Sequence, residues 1–241
     1  MPGGIYAALS GLRTRNDSLE RIAEDISNAS TAGYKGDRTT MVASARPSFQ
    51  DVLATAMDVT SSAPKVDFRD GAVVPTGRDL DFAIEGPGFF SVETANGIRY
   101  TRNGHFSRTV DGTIVTLGGE PLLSADGNHL VLPPGKLEFT DDGTIRVGKT
   151  TVGRPAVTAF KSLGSMVREN GIRFKAPDGV TGDEATDSRV RPGMLEQSNV
   201  SSQERLAQMI DASRSFDALQ RGINLLSSEL DGRAIAELGR R

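Results

Sequence analysis

Apolar residues recur every three or four positions at both ends of the chain and in short alternating runs between them. Ile5, Leu9, Leu12, Asn16, Leu19, Ala23 and Ile26 are separated by 4, 3, 4, 3, 4 and 3 positions. That is the rhythm of a helix packed along a narrow seam. Arg13, Arg15, Asp17, Glu20, Arg21, Glu24 and Asp25 lie between them and suit a solvated face. Asn16 interrupts the seam, where a buried amide fixes register at some cost in stability. Ser30, Thr31, Ala32 and Gly33 place the helix end near Asn28. At the other end Ser201 and Glu204 form an S-x-x-E capping box. Leu206, Met209, Ser213, Phe216, Gln220, Ile223, Ser227 and Leu230 follow at alternating spacings of 3 and 4. Ile210, Leu219 and Leu226 widen this second stripe beyond what a two-helix contact requires. Neither stripe can be buried by its own helix, so the partner is the other terminus or another subunit.

The middle of the chain alternates with period two between turn pairs. Asn103-Gly104, Asp111-Gly112, Gly118-Gly119, Asp126-Gly127 and Asp142-Gly143 punctuate it, and the first four have the spacing of a hairpin meander. Strands are expected at Phe82 to Ile84, Phe89 to Val92, Thr113 to Leu117, His129 to Leu132 and Thr144 to Val147. Residues 175 to 192 read as loop. The expected class is α+β. Terminal helices within 1–35 and 196–241 pair in a coiled-coil-like layer and bracket a β-rich hairpin domain at 66–195, with an extended linker at 36–65.

Composition narrows the function. The 241 residues carry a formal charge of −3, no cysteine and only two histidines, His105 and His129. Disulfides, Cys-bound zinc and thiol chemistry are thereby excluded, and imidazole chemistry has little material. No global charge draws the chain to nucleic acid or anionic lipid. No apolar run approaches a transmembrane length, and the N-terminus lacks the basic start and apolar core of a signal peptide. Residues 143–150, G-T-I-R-V-G-K-T, match the P-loop pattern. A P-loop needs a helix to begin at its lysine, whereas Thr151-Val152-Gly153-Arg154-Pro155 favours a strand after a turn. Gly86-Pro87-Gly88 is followed by strand residues and reads as a turn.

Several ordered segments resemble the bacterial flagellar basal-body rod and hook family. Ile5 to Leu12 resembles its opening. Ile22 to Lys35, I-A-E-D-I-S-N-A-S-T-A-G-Y-K, resembles its N-terminal signature through Asn28, Thr31, Gly33, Tyr34 and Lys35. Glu24, Asp25 and Ser27 stand where that signature usually has Asn, Asn and Ala. Residues 76–90 resemble a second motif through Gly86, Gly88, Phe89 and Phe90, and Tyr100, Thr101, Arg102, Asn103 and Gly104 a third. Leu195, Glu196, Ser198, Asn199 and Val200, followed by Met209-Ile210 and Arg214 to Phe216, resemble the C-terminal block.

Within the family, the opening, the length and the run Asp67-Phe68-Arg69-Asp70-Gly71 are most similar to proximal rod proteins, with distal rod proteins the alternative. The resemblance implies a non-enzymatic structural subunit without cofactor or metal, exported without a cleaved signal peptide by the flagellar type III apparatus. Its implied partners are other copies of itself, other rod proteins and rod-assembly factors, with no nucleic acid and no membrane insertion. The assembly contacts would be Ile5, Leu9, Leu12, Asn16, Leu19, Ile26, Asn28, Leu206, Met209, Ile210, Phe216, Ile223 and Leu230. The alternative from another class is a self-contained β-rich binding or enzyme module using the Lys149 region for an anion.

Overall fold

A computed structural model describes residues 2–38, 65–140 and 143–238, with side chains omitted at 2–10, 223 and 225–238. The expected linker at 36–65 falls almost wholly outside the described residues, as do Asp141 and Asp142. Helix α1 runs Pro2–Ser27 and helix α2 Ser202–Leu238. Among the described residues between them, fifteen strands follow in order: β1 Val73–Pro75, β2 Phe82–Glu85, β3 Phe89–Thr94, β4 Gly97–Thr101, β5 Phe106–Arg108, β6 Ile114–Thr116, β7 Leu137–Phe139, β8 Ile145–Val147, β9 Thr150–Gly153, β10 Val157–Ala159, β11 Val167–Glu169, β12 Arg173–Lys175, β13 Asp183–Glu184, β14 Arg189–Pro192 and β15 Met194–Glu196. Among the described residues the architecture is α+β, with two helices and a β-rich middle.

Two compact units divide the chain, one from 1–27, 37–64 and 201–241 and the other from 28–36 and 65–200. In the first, α1 and α2 pack against each other. The Glu204 N–H donates to Ser201 Oγ at 3.4 Å, so the capping serine sits where the S-x-x-E pattern put it. The buried faces differ from the expected seams. Ile22, Asp25 and Ala212 are buried, Leu12, Leu19, Ile26, Met209 and Phe216 are half-buried, and Leu206, Ile210 and Asn16 are exposed. Asn16 is therefore not a buried register residue within this chain. Its amide donates to Glu20 Oε1 at 2.7 Å on the helix surface. An inter-helix ion pair turns charge inward, with Arg205 Nε 2.9 Å from Asp25 Oδ2 and both side chains largely buried. Arg205 also donates to the Asp37 carbonyl at 2.7 Å. Asp25, a departure from the usual asparagine, is matched by a cation on α2.

In the β unit, six strands form one antiparallel-paired sheet in the order β11-β12-β4-β3-β10-β13. Small sheets pair β5 with β6, β7 with β8 and β9, β2 with β14, and β1 with β15. The main core gathers Phe82, Ile84, Phe90, Val92, Phe106, Ile114, Leu122, Leu130, Leu132 and Ile145 from successive alternating runs. Phe89, Met166 and Phe174 form a second cluster. Asp111-Gly112, Gly118-Gly119 and Asp126-Gly127 make the expected turns, closed by Gly112 N to Thr109 O, Gly119 N to Thr116 O and Gly127 N to Ser124 O.

Asn103-Gly104 is not a hairpin turn. It is a buried connection between β4 and β5, strands that pair with different neighbours. The segment 175–192 is not all loop, because β14 pairs with β2 along four residues. Its single inward residue, Val190, gave too little apolar periodicity to announce a strand. The P-loop-like residues form the β8–β9 hairpin, with Gly148 and Lys149 in the turn.

Gly222 lies within α2, and a methyl group there would meet nothing within 4 Å. Gly222→Ala is expected to stabilise the helix by about 0.5–1 kcal/mol. Helicity by circular dichroism and the thermal midpoint should both rise, and a fall in either would contradict this reading.

Candidate functional site

Four of the sequence motifs meet at one buried node in the β unit. Just after α1, Gly33 adopts a left-handed conformation, φ 67°. A methyl group there would overlap the backbone of Arg102 and Asn103, so only glycine lets these segments touch. Thr31 shapes the approach: its N–H donates to the Asn28 carbonyl at 3.0 Å, and its carbonyl accepts from Tyr34 N at 3.2 Å. Tyr34 is buried with the Arg168 guanidinium 4.8 Å from its ring centroid, an electrostatically favourable stack. Arg168 also donates to the Lys35 carbonyl at 2.5 Å.

Lys35 and Glu196 are each 1% exposed, with Nζ 2.5 Å from Oε1. The same ammonium donates to the Arg69 carbonyl at 2.7 Å. The other carboxylate oxygen, Oε2, accepts from Arg102 Nη1 at 3.1 Å. Arg102, 5% exposed, also donates to the carbonyl of Gly86 at 2.7 Å. Gly71 N–H reaches Glu196 Oε1 at 2.9 Å, and Gly33 N–H reaches the Glu196 carbonyl at 2.7 Å. One glutamate thus serves two buried cations and two backbone donors, the arrangement a buried charge requires. Asn199 works alongside it. Its Oδ1 accepts from Gly36 N–H at 2.8 Å, while its Nδ2 donates to the carbonyls of Asp67 at 2.7 Å and Arg69 at 3.1 Å. Asp67 N–H in turn donates to the Gly36 carbonyl at 2.8 Å.

The remaining motif residues support this node. Phe89 faces Phe68 and Phe174 edge-on, and Phe90 meets Phe106 at 5.4 Å between ring centroids. Tyr100 packs on Phe160, and burial raises its pKa above the usual phenol value. Thr101 donates to the Ile172 carbonyl at 2.8 Å and accepts from Asn103 N–H at 3.0 Å. Gly104 lies against the Phe82 backbone, and a methyl group at Gly88 would press on Val157. Leu195 pairs with Val74, and Ser198 Oγ accepts from Val200 N–H at 3.2 Å. Gly71 and Arg168 join the node without a motif-based expectation. Gly71 was legible only as part of the 67–71 run, and Arg168 has no local pattern.

Burial lowers the Lys35 pKa from 10.5, and attraction to Glu196 offsets part of that shift. Between the folded value and 10.5 the unfolded chain binds more protons than the folded one, so stability supplied by this group rises with pH in that window. The difference in unfolding free energy between the parent and Lys35→Met should therefore move in the parent's favour as pH approaches 10.5. Urea titrations at several alkaline pH values measure it, and an opposite slope would contradict the assignment.

The remaining expected seam residues belong to the helical unit. Ile5, Leu9, Ile223 and Leu230 have side chains outside the described residues. Leu206 at 48%, Ile210 at 53% and Leu219 at 37% exposure leave apolar surface uncovered along α2. Among the described residues no cluster of three metal-ligating side chains occurs, and no helix is long and apolar enough to cross a membrane.

Residues 83–150 match the family model of the flagellar hook protein FlgE/F/G D1 domain, and residues 191–228 that of the flagellar basal body rod FlgEFG protein C-terminal region. The chain is 29% identical to the flagellar basal-body rod protein FlgF of Caulobacter vibrioides, covering 100% of this chain and 99% of that one. It is 30% identical to FlgF of Rhizobium meliloti, covering 99% of both chains. It is 28% identical to FlgG of Bacillus subtilis, covering 89% of this chain and 91% of the relative.

Proposed function

Since the chain belongs to the flagellar basal-body rod protein family, is most like FlgF, and is a structural subunit of that rod, we propose that it builds the proximal rod through its two terminal helices. In this reading the α1–α2 pair is the unit of assembly. Its inward face holds the helices together in each subunit through Asp25 and Arg205, and its outward face meets neighbouring subunits in a tubular coiled-coil layer. The observation that carries the reading is the exposed stripe of Leu206 and Ile210, one turn apart on the same face of α2. Such a stripe in a long helix costs free energy in water and is relieved by burial against another helix.

Leu12, Leu19, Ile26, Met209 and Phe216 close the pair, and Ile5, Leu9, Ile223 and Leu230 are assigned, from their sequence spacing, to the same assembly contacts. Asn16, exposed in the single chain, and Asn28 supply polar contacts that fix register between subunits. The tube transmits torque and surrounds the export channel in the periplasmic part of the basal body. Partners are further copies, other rod proteins and, in transit, rod-assembly factors and the type III export apparatus, which takes the chain without cleaving a leader. The role is mechanical, with no enzyme activity, no cofactor, no nucleic acid and no membrane insertion. A distal-rod role is the second reading, favoured by the similarity to FlgG.

Purified subunit concentrated stepwise and viewed by electron microscopy tests the proposal. Tubular or helical polymers whose formation is lost on changing Leu206 to aspartate support it. Polymers unaffected by that change refute it. Lys149→Ala, in the hairpin turn, should leave motility and polymer formation unchanged, because the Gly148-Lys149 turn precedes no helix and offers no phosphate cradle. Loss of motility at normal protein abundance would revive an anion-binding role.

A further inference from the structure

We infer that the segment 194–199 is a latch, and that the node of the β unit closes only when this late stretch of the chain joins it. Lys35 and Arg102 both lie in the buried site, 1% and 5% exposed. Without Glu196 the nearest remaining carboxylate is Asp70, 3.5 Å from Arg102 and itself 64% exposed. Closing 33–36 onto Arg102 would then bury two like charges with a half-solvated counter-ion, which is strongly unfavourable.

Glu196 removes that obstacle in one step. Its carboxylate takes Lys35, Arg102 and the Gly71 N–H, while its carbonyl takes the Gly33 N–H. Three residues later Asn199 ties Gly36 to Asp67 and Arg69. β15 also pairs with β1, and among the described residues β1 has no other strand partner. The last segment of the unit is thus the counter-charge, the clamp and the covering strand for elements made much earlier in the chain. A subunit that emerges from a channel N-terminus first would keep this node open until residue 196 is out. That use rests on the export reading above, whereas the latch itself does not.

Pulse-labelled hydrogen exchange during refolding of the full chain tests it. Protection of 33–36, 67–71 and 102–104 is expected to appear in the same kinetic step as protection of 194–199. Protection of the first three in an earlier step would overturn the latch, whatever the fate of the export reading. At equilibrium Glu196→Gln should speed exchange at all four segments together by at least about 100-fold. The double variant Lys35→Met/Glu196→Gln should recover at least about tenfold of that loss, since one of the two unmatched cations is gone. Equal exchange in parent and Glu196→Gln, or no recovery in the double variant, would overturn it as well.

Discussion

Gly104→Ala is expected to lower the thermal midpoint of the β unit by at least about 10 °C. The added methyl group would lie inside the van der Waals envelope of the Phe82 carbonyl. No flexible side chain can yield there. Gly104 O accepts from Phe82 N–H at 2.9 Å, and two residues on Phe106 N–H donates to the Leu80 carbonyl at 3.2 Å. Phe82 and Phe106 are both fully buried in the main core, so separating the backbones by even 1 Å opens that core. A forced backbone shift through a packed core belongs to the few mechanisms that cost 4 kcal/mol or more. For a chain of this length about 1 kcal/mol moves the midpoint by about 2–4 °C. Calorimetry measures the shift. A change within 2 °C of the parent would show that the β4–β5 connection is not as close as described.

The second large effect concerns assembly and leaves the monomer intact. Ile210→Asp should weaken subunit association by at least about 100-fold, with unfolding of the dilute monomer within about 0.5 kcal/mol of the parent. Ile210 is 53% exposed in the single chain, so the monomer loses little by its replacement. Burying the exposed half of an isoleucine in a contact is worth about 0.8–1.5 kcal/mol, and an unpaired carboxylate in the same place costs roughly 2 kcal/mol or more in desolvation. Together they exceed the 2.7 kcal/mol that a 100-fold change in affinity represents. Phe216→Asp should likewise prevent assembly, but because Phe216 is half-buried in the single chain it should also loosen the α1–α2 pair. Sedimentation at increasing concentration separates the two cases. Unchanged association of the Ile210 variant would contradict the outward stripe.

The two helices and the turns at 111–112, 118–119 and 126–127 were legible because their signals are local, whereas the strand expected at His129 to Leu132 is only a set of isolated bridges. A capping serine at 201, periodic apolar positions and Asp-Gly or Gly-Gly pairs state their structure within a few residues. The face each helix presents was not legible. The a/d count placed Leu206 and Asn16 in the seam, whereas the Asp25–Arg205 pair turns the adjacent faces inward, and charged residues in a seam are normally read as solvated. Likewise the short strands β1, β10 to β15 carry too few apolar residues for a period-two pattern to show.

The node was half legible. Gly33, Lys35, Arg102, Glu196 and Asn199 stood out as motif residues, yet nothing in their spacing said that positions 35, 102 and 196 share one carboxylate. A pairing across 161 residues has no local trace in a single sequence. The same distance explains why Gly71 and Arg168 went unremarked as node residues.

The measurement that tests the rod account most directly is hydrogen exchange, peptide by peptide, on the dilute subunit and on its assembled polymer. Helix packing within the chain predicts partial protection around Ile22 and Ala212 already in the monomer. Assembly should then raise protection across 203–221 by at least about tenfold, with little change in 82–106. If 203–221 exchanges equally in both forms while the β unit gains the protection, the helices are not the assembly contact and the account fails.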